Sequence, residues 1–305
     1  MRGERGGCEV NAPDPGIYFD VPDAEYRAWP YVSQSTLGMF RDPDLCELEI
    51  RHRIEHPQEP TESMTLGLTV ETALHDPSAL GACIKQLPPE IKARRGAAYE
   101  ALKEQNPGVE FLPRVEYEKR TAMFSQARAM AASIQSHDLA ARLMDGARRQ
   151  AAFVWDAEFV GESGKPVVHR VKGLLDYWNE ELGAIADLKC LSAGGQRSVG
   201  RHVWQYAYDV QSALYTDAMR SLTKRADLEF YFIVCRSIPP YVVTLYSGHN
   251  TTEMAGHLLA IGRSAYQIYL ERLAECNRTG QWNGYTSPDA PGARVLDVQL
   301  PPWAA

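Results

Sequence analysis

Two aspartates and a lysine stand closest to chemistry in this sequence. Asp176 lies near the end of the run Val171-Lys-Gly-Leu-Leu-Asp-Tyr-Trp178, and Asp187-Leu-Lys189 follows, its first residue eleven positions after Asp176. Both runs read as strands, and the polar Asn179-Glu-Glu-Leu182 between them reads as a hairpin turn, so the two carboxylates can lie side by side. Alternation along a strand puts Asp187 and Lys189 on one face. Carboxylates that close repel unless a cation sits between them, and hard oxygen ligands with open water positions suit Mg2+ or Mn2+. Such a metal would polarise a phosphodiester and acidify a water, while Lys189 could orient that water or stabilise the developing charge.

An acid-x-Lys triplet alone says little. Glu90-Ile-Lys92 has the same form, but it follows Pro88-Pro89, has no β pattern and lacks an upstream partner aspartate. For Asp187 and Lys189 the alternative is a salt-bridged surface strand. Ile185, Ala186 and Leu188 make that strand largely buried, where ionised side chains are rare unless paired or metal-bound. On the helix that follows, Gln211 and Tyr215 are an i, i+4 pair with Tyr208 one turn earlier. Standing alone they would be an ordinary polar helix face; placed after this strand, they form a plausible DNA-facing wall.

The elements that must position these groups follow from pattern. Strands are expected over 153–160, 166–178 and 183–190, consecutive and antiparallel, with more over 228–236 and 241–247. Helices are expected over 33–40, 63–74 (Met64, Leu66, Val70 and Leu74 as its apolar positions), 115–134 and about 201–222, with a long last helix capped by Thr251 or Thr252 and carrying Met254, Leu258, Ile261, Ala265 and Ile268. Glu71 falls inside the second. Residues 88–113 read as a loop or mobile arm, and 1–15 as a flexible tail before a single domain over 16–305. Gly161-Glu-Ser-Gly-Lys165 superficially suggests a phosphate loop, but Pro166 and a β-rich run follow, so it reads as a hairpin turn. The expected fold class is α/β, a mixed central sheet flanked by helices.

Composition limits the partners. With 39 Asp+Glu against 32 Lys+Arg, the net charge of −7 argues against coating nucleic acid or anionic membrane by bulk charge. The longest strongly apolar stretch, Phe230 to Cys235, is far short of a membrane span, and no secretory h-region follows Met1 to Gly7, so no membrane partner and a cytoplasmic address are expected. Six scattered cysteines without CxxC and eight histidines without a zinc pattern suggest neither disulfide framework nor zinc site.

At Gly173-Leu-Leu-Asp176, Asp187-Leu-Lys189 and Gln211-Ser-Ala-Leu-Tyr215 the sequence resembles the PD-(D/E)xK nuclease superfamily, in its RecB-like branch. More closely it is similar to the exonuclease VIII (RecE-type) nuclease domains of phages and prophages. That likeness runs from Gly16-Ile-Tyr-Phe-Asp-Val-Pro22 through Val32-Ser-Gln-Ser35 and Met64-Thr-Leu-Gly67 to Leu300-Pro-Pro-Trp-Ala304. The resemblance implies a restriction-endonuclease-like core and a Mg2+-dependent exonuclease that degrades linear duplex DNA 5′ to 3′, leaving 3′ overhangs for a single-strand annealing protein. It also implies a homo-oligomeric ring. Carried over, Asp176, Asp187 and the Leu188 carbonyl would ligate metal, Lys189 would serve the nucleophilic water, and Gln211 and Tyr215 would shape the substrate side.

Departures matter too. Members of the family it resembles usually have His where this chain has Glu71, which is carried over as a third ligand; His75, one turn on, is a second candidate, more simply a helix-end histidine. Gln150 stands where relatives often have an acid. A nuclease with another substrate or polarity, and a non-cleaving DNA-binding scaffold, are the competing readings. The acidity also requires a local phosphate track, for which Arg94, Arg95, Lys119, Arg120, Arg148, Arg149, Arg197 and Arg201 are the candidates.

Overall fold

The computed structural model describes residues 12–162, 164–248 and 256–285, without the side chains of 256 and 257. The expected tail up to residue 11, the Thr251 or Thr252 cap, Met254 and the Leu300-to-Ala304 segment lie outside the described residues.

In chain order the elements are β1 (Gly16–Tyr18), α1 (Asp23–Ala28), β2 (Val32–Ser33), α2 (Gln34–Gly38) with a 3-10 turn (Met39–Arg41), α3 (Glu47–Glu55), α4 (Glu62–His75), β3 (Ile84–Gln86), α5 (Ala97–Gln105), β4 (Glu110–Leu112), α6 (Arg114–Gln135) and α7 (Asp138–Met144). Then come β5 (Arg148–Val160), β6 (Pro166–Asn179), β7 (Ala184–Leu191), α8 (Gln196–Gln205), α9 (Tyr208–Thr223), β8 (Glu229–Arg236), β9 (Val243–Ser247) and α10 (Gly256–Thr279). A seven-stranded sheet runs β1-β5-β6-β7-β8-β9 with β2 added beside β6. β5, β6 and β7 are antiparallel, whereas β7 and β8 are parallel across the α8–α9 crossover, so the sheet is mixed as expected. One face packs α9 and α10 over Phe153, Leu175, Ile185 and Phe230; the other packs α4, α6 and α7 over Tyr177, Ala186 and Ile233.

The β6–β7 hairpin is fixed by its own residues. Asn179 accepts from the Leu182 amide at 3.0 Å and donates to the carbonyls of Leu143 and Asp145 at 3.2 and 2.8 Å. Gly183 closes the turn at φ +63, a conformation that favours glycine. The other expected turn also forms: the Gly161 amide donates to the Lys165 carbonyl at 2.9 Å.

Three expectations are corrected. Residues 88–113 are not an arm without structure: they hold α5, and β4 pairs in parallel with β3 as a small second sheet. α5 carries Ala, Leu, Lys, Glu and Gln, strong helix formers, but buries none of its residues, so no apolar stripe announces it. The single helix over 201–222 is two, parted where Ala207 adopts a left-handed conformation (φ 53, ψ 40). On α4, Val70 and Leu74 are buried as expected, whereas Met64 is exposed.

Candidate active site

The hairpin register places Tyr177 opposite Ala186, which brings Asp176 and Asp187 to the next facing position, where the β6–β7 ladder stops. β6 continues away from β7 along β5 and takes β2 on its vacated side, at Val171 and Lys172. The sheet therefore forks at the two aspartates. Local twist marks the same point: Leu175 and Tyr177, two apart, point to opposite faces, and Gln150 across the ladder is left-handed at φ 48. Such backbone in a non-glycine residue costs roughly 1–3 kcal/mol and clusters at functional sites.

The fork orients the carboxylates. Asp176 Oδ2 accepts the Leu188 amide at 2.8 Å. Asp187, 3% exposed, accepts Gln211 Nε2 on Oδ1 at 2.6 Å. Lys189 Nζ lies 2.5 Å from Asp187 Oδ2, so its ammonium is the charged partner of that buried oxygen. Lys189 also stands 4.2 Å from the centre of the Tyr208 ring, a cation–π contact. From α4, Glu71 accepts Gln150 Nε2 at 3.2 Å.

Electrostatics tie these groups together. Burial and then the Asp187 charge push the Glu71 carboxyl up to about 7, against the pull of Lys189, Arg149 and the Gln150 amide. Burial, then Asp187 and Glu71, raise Asp176 well above the usual carboxylate range. For Lys189, burial favours the neutral amine, but Asp187, Tyr208 and Asp176 together outweigh it and hold the ammonium charged. Mutually repelling carboxylates of this kind ask for a cation.

The donor types at the site, carboxylates and a buried amide oxygen, are those a hard divalent ion takes. Gln211 Oε1 is a buried acceptor without a donor, and the Asp187 carboxylate lies near enough to those of Asp176 and Glu71 to raise the pKa of both. Among the described residues no group of three or more His, Cys, Asp or Glu side chains is placed to hold a metal ion. Mg2+ is usually held by one or two carboxylates and keeps several waters, so an open set is compatible with it.

Other candidates are placed differently. Tyr215 is buried beside the site rather than open to solvent: it is 7% exposed, packs edge-on against Phe153 with ring centres 5.2 Å apart, and belongs to the main core, within electrostatic reach of Asp187 and Asp176. An i, i+4 helix face is shared, but in this helix that face is buried, so Gln211 positions Asp187 rather than meeting solvent. Gly173 explains the burial, since a Cβ there would fall 2.2 Å from Phe153 Cε1 and 2.8 Å from Tyr215 Cε1. The first and last of the three motifs thus touch each other. His75 turns away to bond the Tyr177 hydroxyl through Nε2 at 2.7 Å, and burial, then Arg149, push it down to about 4.

Beside Lys189 opens a cleft of about 1500 Å³. Arg94, Lys119 and Arg120 line it, together with Arg53, which no pattern in the sequence marks. Arg94 pairs with Glu110 and Glu116, and Lys119 with Glu62. Arg95, Arg148, Arg149, Arg197 and Arg201 do not line this cleft; Arg148 covers the Phe19 ring and Arg149 acts on Glu71. Three of the eight basic candidates thus line this cleft and five do not, because sequence clustering of charge does not fix the face on which it falls.

The chain belongs to the family described as the PDDEXK-like domain of unknown function (DUF3799), whose model matches residues 33–287. Among solved structures, a candidate exonuclease from Eubacterium rectale is similar over 93% of this chain and 97% of its own, with a TM-score of 0.58 and 16% identity, which establishes the shared fold. A phage-related exonuclease from Haemophilus somnus 129PT matches over 80% of this chain and 95% of its own, at 13% identity and a TM-score of 0.28. A search of curated proteins returns no match. No helix among the described residues is long and apolar enough to cross a membrane.

Proposed function

We propose that this chain is a Mg2+- or Mn2+-dependent deoxyribonuclease, formed as one nuclease domain over 16–305, that degrades linear double-stranded DNA from its ends. In the full form of the reading it works 5′ to 3′ as a homo-oligomeric ring and leaves 3′ overhangs for a single-strand annealing protein. The observation that carries the nuclease reading is the fork that sets Asp176 against Asp187 with Lys189 at their side. The exonuclease reading draws on the name of the Eubacterium rectale protein that shares the fold.

A bound metal, held by Asp176, Asp187 and the Leu188 carbonyl with Glu71 nearby, would supply Lewis-acid activation of the phosphate and of a water. The chain's own groups do the rest. Gln211 and the Leu188 amide hold the two carboxylates in place. As an ammonium, Lys189 donates hydrogen bonds to a water or to a phosphate oxygen as negative charge grows there, and it accepts no proton in that state. Arg53 and Arg120 on the cleft wall supply charge for the DNA backbone.

Linear duplex labelled at either its 5′ or its 3′ end, incubated with Mg2+, tests the reading. Release of mononucleotide from the 5′ label supports it. Release from the 3′ label overturns the polarity, and no Mg2+-dependent release from either end favours a non-cleaving DNA-binding scaffold.

A further inference from the structure

The wall of the cleft carries a feature that phosphate chemistry does not use. The rings of His202, Tyr206 and Tyr208 follow one another along it, with centres 5.8 Å apart at each step and planes inclined by 33° and 30°. The run ends under the Lys189 ammonium, and all four side chains line the same cleft. Tyr206, the middle ring of the three, is 51% exposed.

This ladder is built by the break between α8 and α9. His202 lies in the last turn of α8 and Tyr206 caps that helix, its amide bonded to the His202 carbonyl, so the two are an i, i+4 pair. In an uninterrupted helix Tyr206 and Tyr208 would point about 200° apart; left-handed Ala207 brings their rings into a stack. A left-handed alanine costs roughly 1–2 kcal/mol. The break is held from outside, since Gln34 Nε2 donates to the Ala207 carbonyl at 3.0 Å. Met39, Met64 and Met123 add apolar surface to the same cleft.

Resting on the nuclease reading, we propose that the His202–Tyr206–Tyr208 ladder is a stacking platform for unpaired nucleobases, so that the strand to be cut enters as a single strand with a base on Tyr206 and a phosphate near Lys189. The chemistry favours this ligand. An unpaired base offers a free π face whatever its identity, whereas bases inside a duplex have both faces covered by their neighbours. A duplex end must then open before its strand reaches the carboxylates.

The test needs no cleavage. In EDTA, the full chain is titrated with a short single strand carrying 2-aminopurine and with a fluorescein-labelled blunt duplex. The wild-type chain should bind the single strand and quench its 2-aminopurine. Stacking is worth about 1–3 kcal/mol per base, so at 1.36 kcal/mol per tenfold Tyr206→Ala should weaken that binding by about 5- to 150-fold and restore fluorescence, with Tyr206→Trp and Tyr206→Phe retaining both. His202→Ala should give a smaller loss in the same direction, and duplex affinity should change less than single-strand affinity. Wild-type affinity and quenching in Tyr206→Ala, an equal loss for duplex and single strand, or no single-strand binding by the wild-type chain would each overturn the platform. Failure of the nuclease reading is seen separately, as absence of Mg2+-dependent cleavage.

Discussion

Gly173→Ala is the sharpest test of how the motifs are assembled. An added Cβ would lie 2.2 and 2.3 Å from Phe153 Cε1 and Cζ and 2.8 Å from Tyr215 Cε1. Ordinary carbon contacts lie near 3.5–4.0 Å, so the Phe153 ring must move by more than about 1 Å. It has nowhere to go: Phe153 is fully buried, and Tyr215 is held beneath it in the same core. Overpacking of this kind costs about 1–3 kcal/mol, occasionally more, and this contact belongs at the upper end. Urea unfolding followed by circular dichroism should show that loss. Adding Phe153→Leu should return part of it, with a coupling of about 0.5–3 kcal/mol in the double-mutant cycle. Because Gly173 lies three residues before Asp176, Gly173→Ala should also reduce any nuclease activity more than its stability alone predicts. A Gly173→Ala chain within about 0.5 kcal/mol of wild type, the range usual for uninvolved surface sites, would refute the interlock.

Arg41 and Asp209 form a buried bidentate ion pair that ties the 3-10 turn to α9. Breaking it with Arg41→Ala leaves a buried carboxylate alone and should cost about 3–5 kcal/mol, read by the same urea titration. His75 gives a pH dependence. Its folded pKa, about 4, lies below the ordinary 6.5, so the unfolded chain binds more protons between those values and stability should fall as pH drops from about 6.5 toward 4. Partial exposure to solvent reduces the size of that effect. His75→Gln should flatten the stability profile across that window in thermal melts; an unchanged slope would contradict the assignment.

Much of the fold is legible because its signals are local. The strands carrying Asp176 and Asp187 alternate, and Asn179 and Gly183 mark their turn, so the facing carboxylates follow from short-range pattern. What the sequence hides is decided by distant neighbours. Helical spacing runs on through Ala207, and no glycine announces the left-handed break that Gln34 stabilises from another element. Tyr215 has a polar tip that suggests a site, yet its surroundings are set by Gly173 and Phe153 on two strands. Glu71 is reached through the resemblance and not through helix pattern, and its electrostatic coupling to Asp187 exists only once α4 packs on the sheet. The basic residues are the least legible, since charge on a surface face leaves no period in sequence.

The central claim is that Asp176, Asp187 and Lys189 are the working groups of a metal-dependent nuclease. It is tested most directly by following nucleotide release from linear duplex DNA with Mg2+ for the wild-type chain, Asp187→Ala and Lys189→Ala, with DNA binding measured in parallel. The account predicts Mg2+-dependent release by the wild-type chain and none by either variant, while both variants still bind DNA. Full activity in either variant would contradict it.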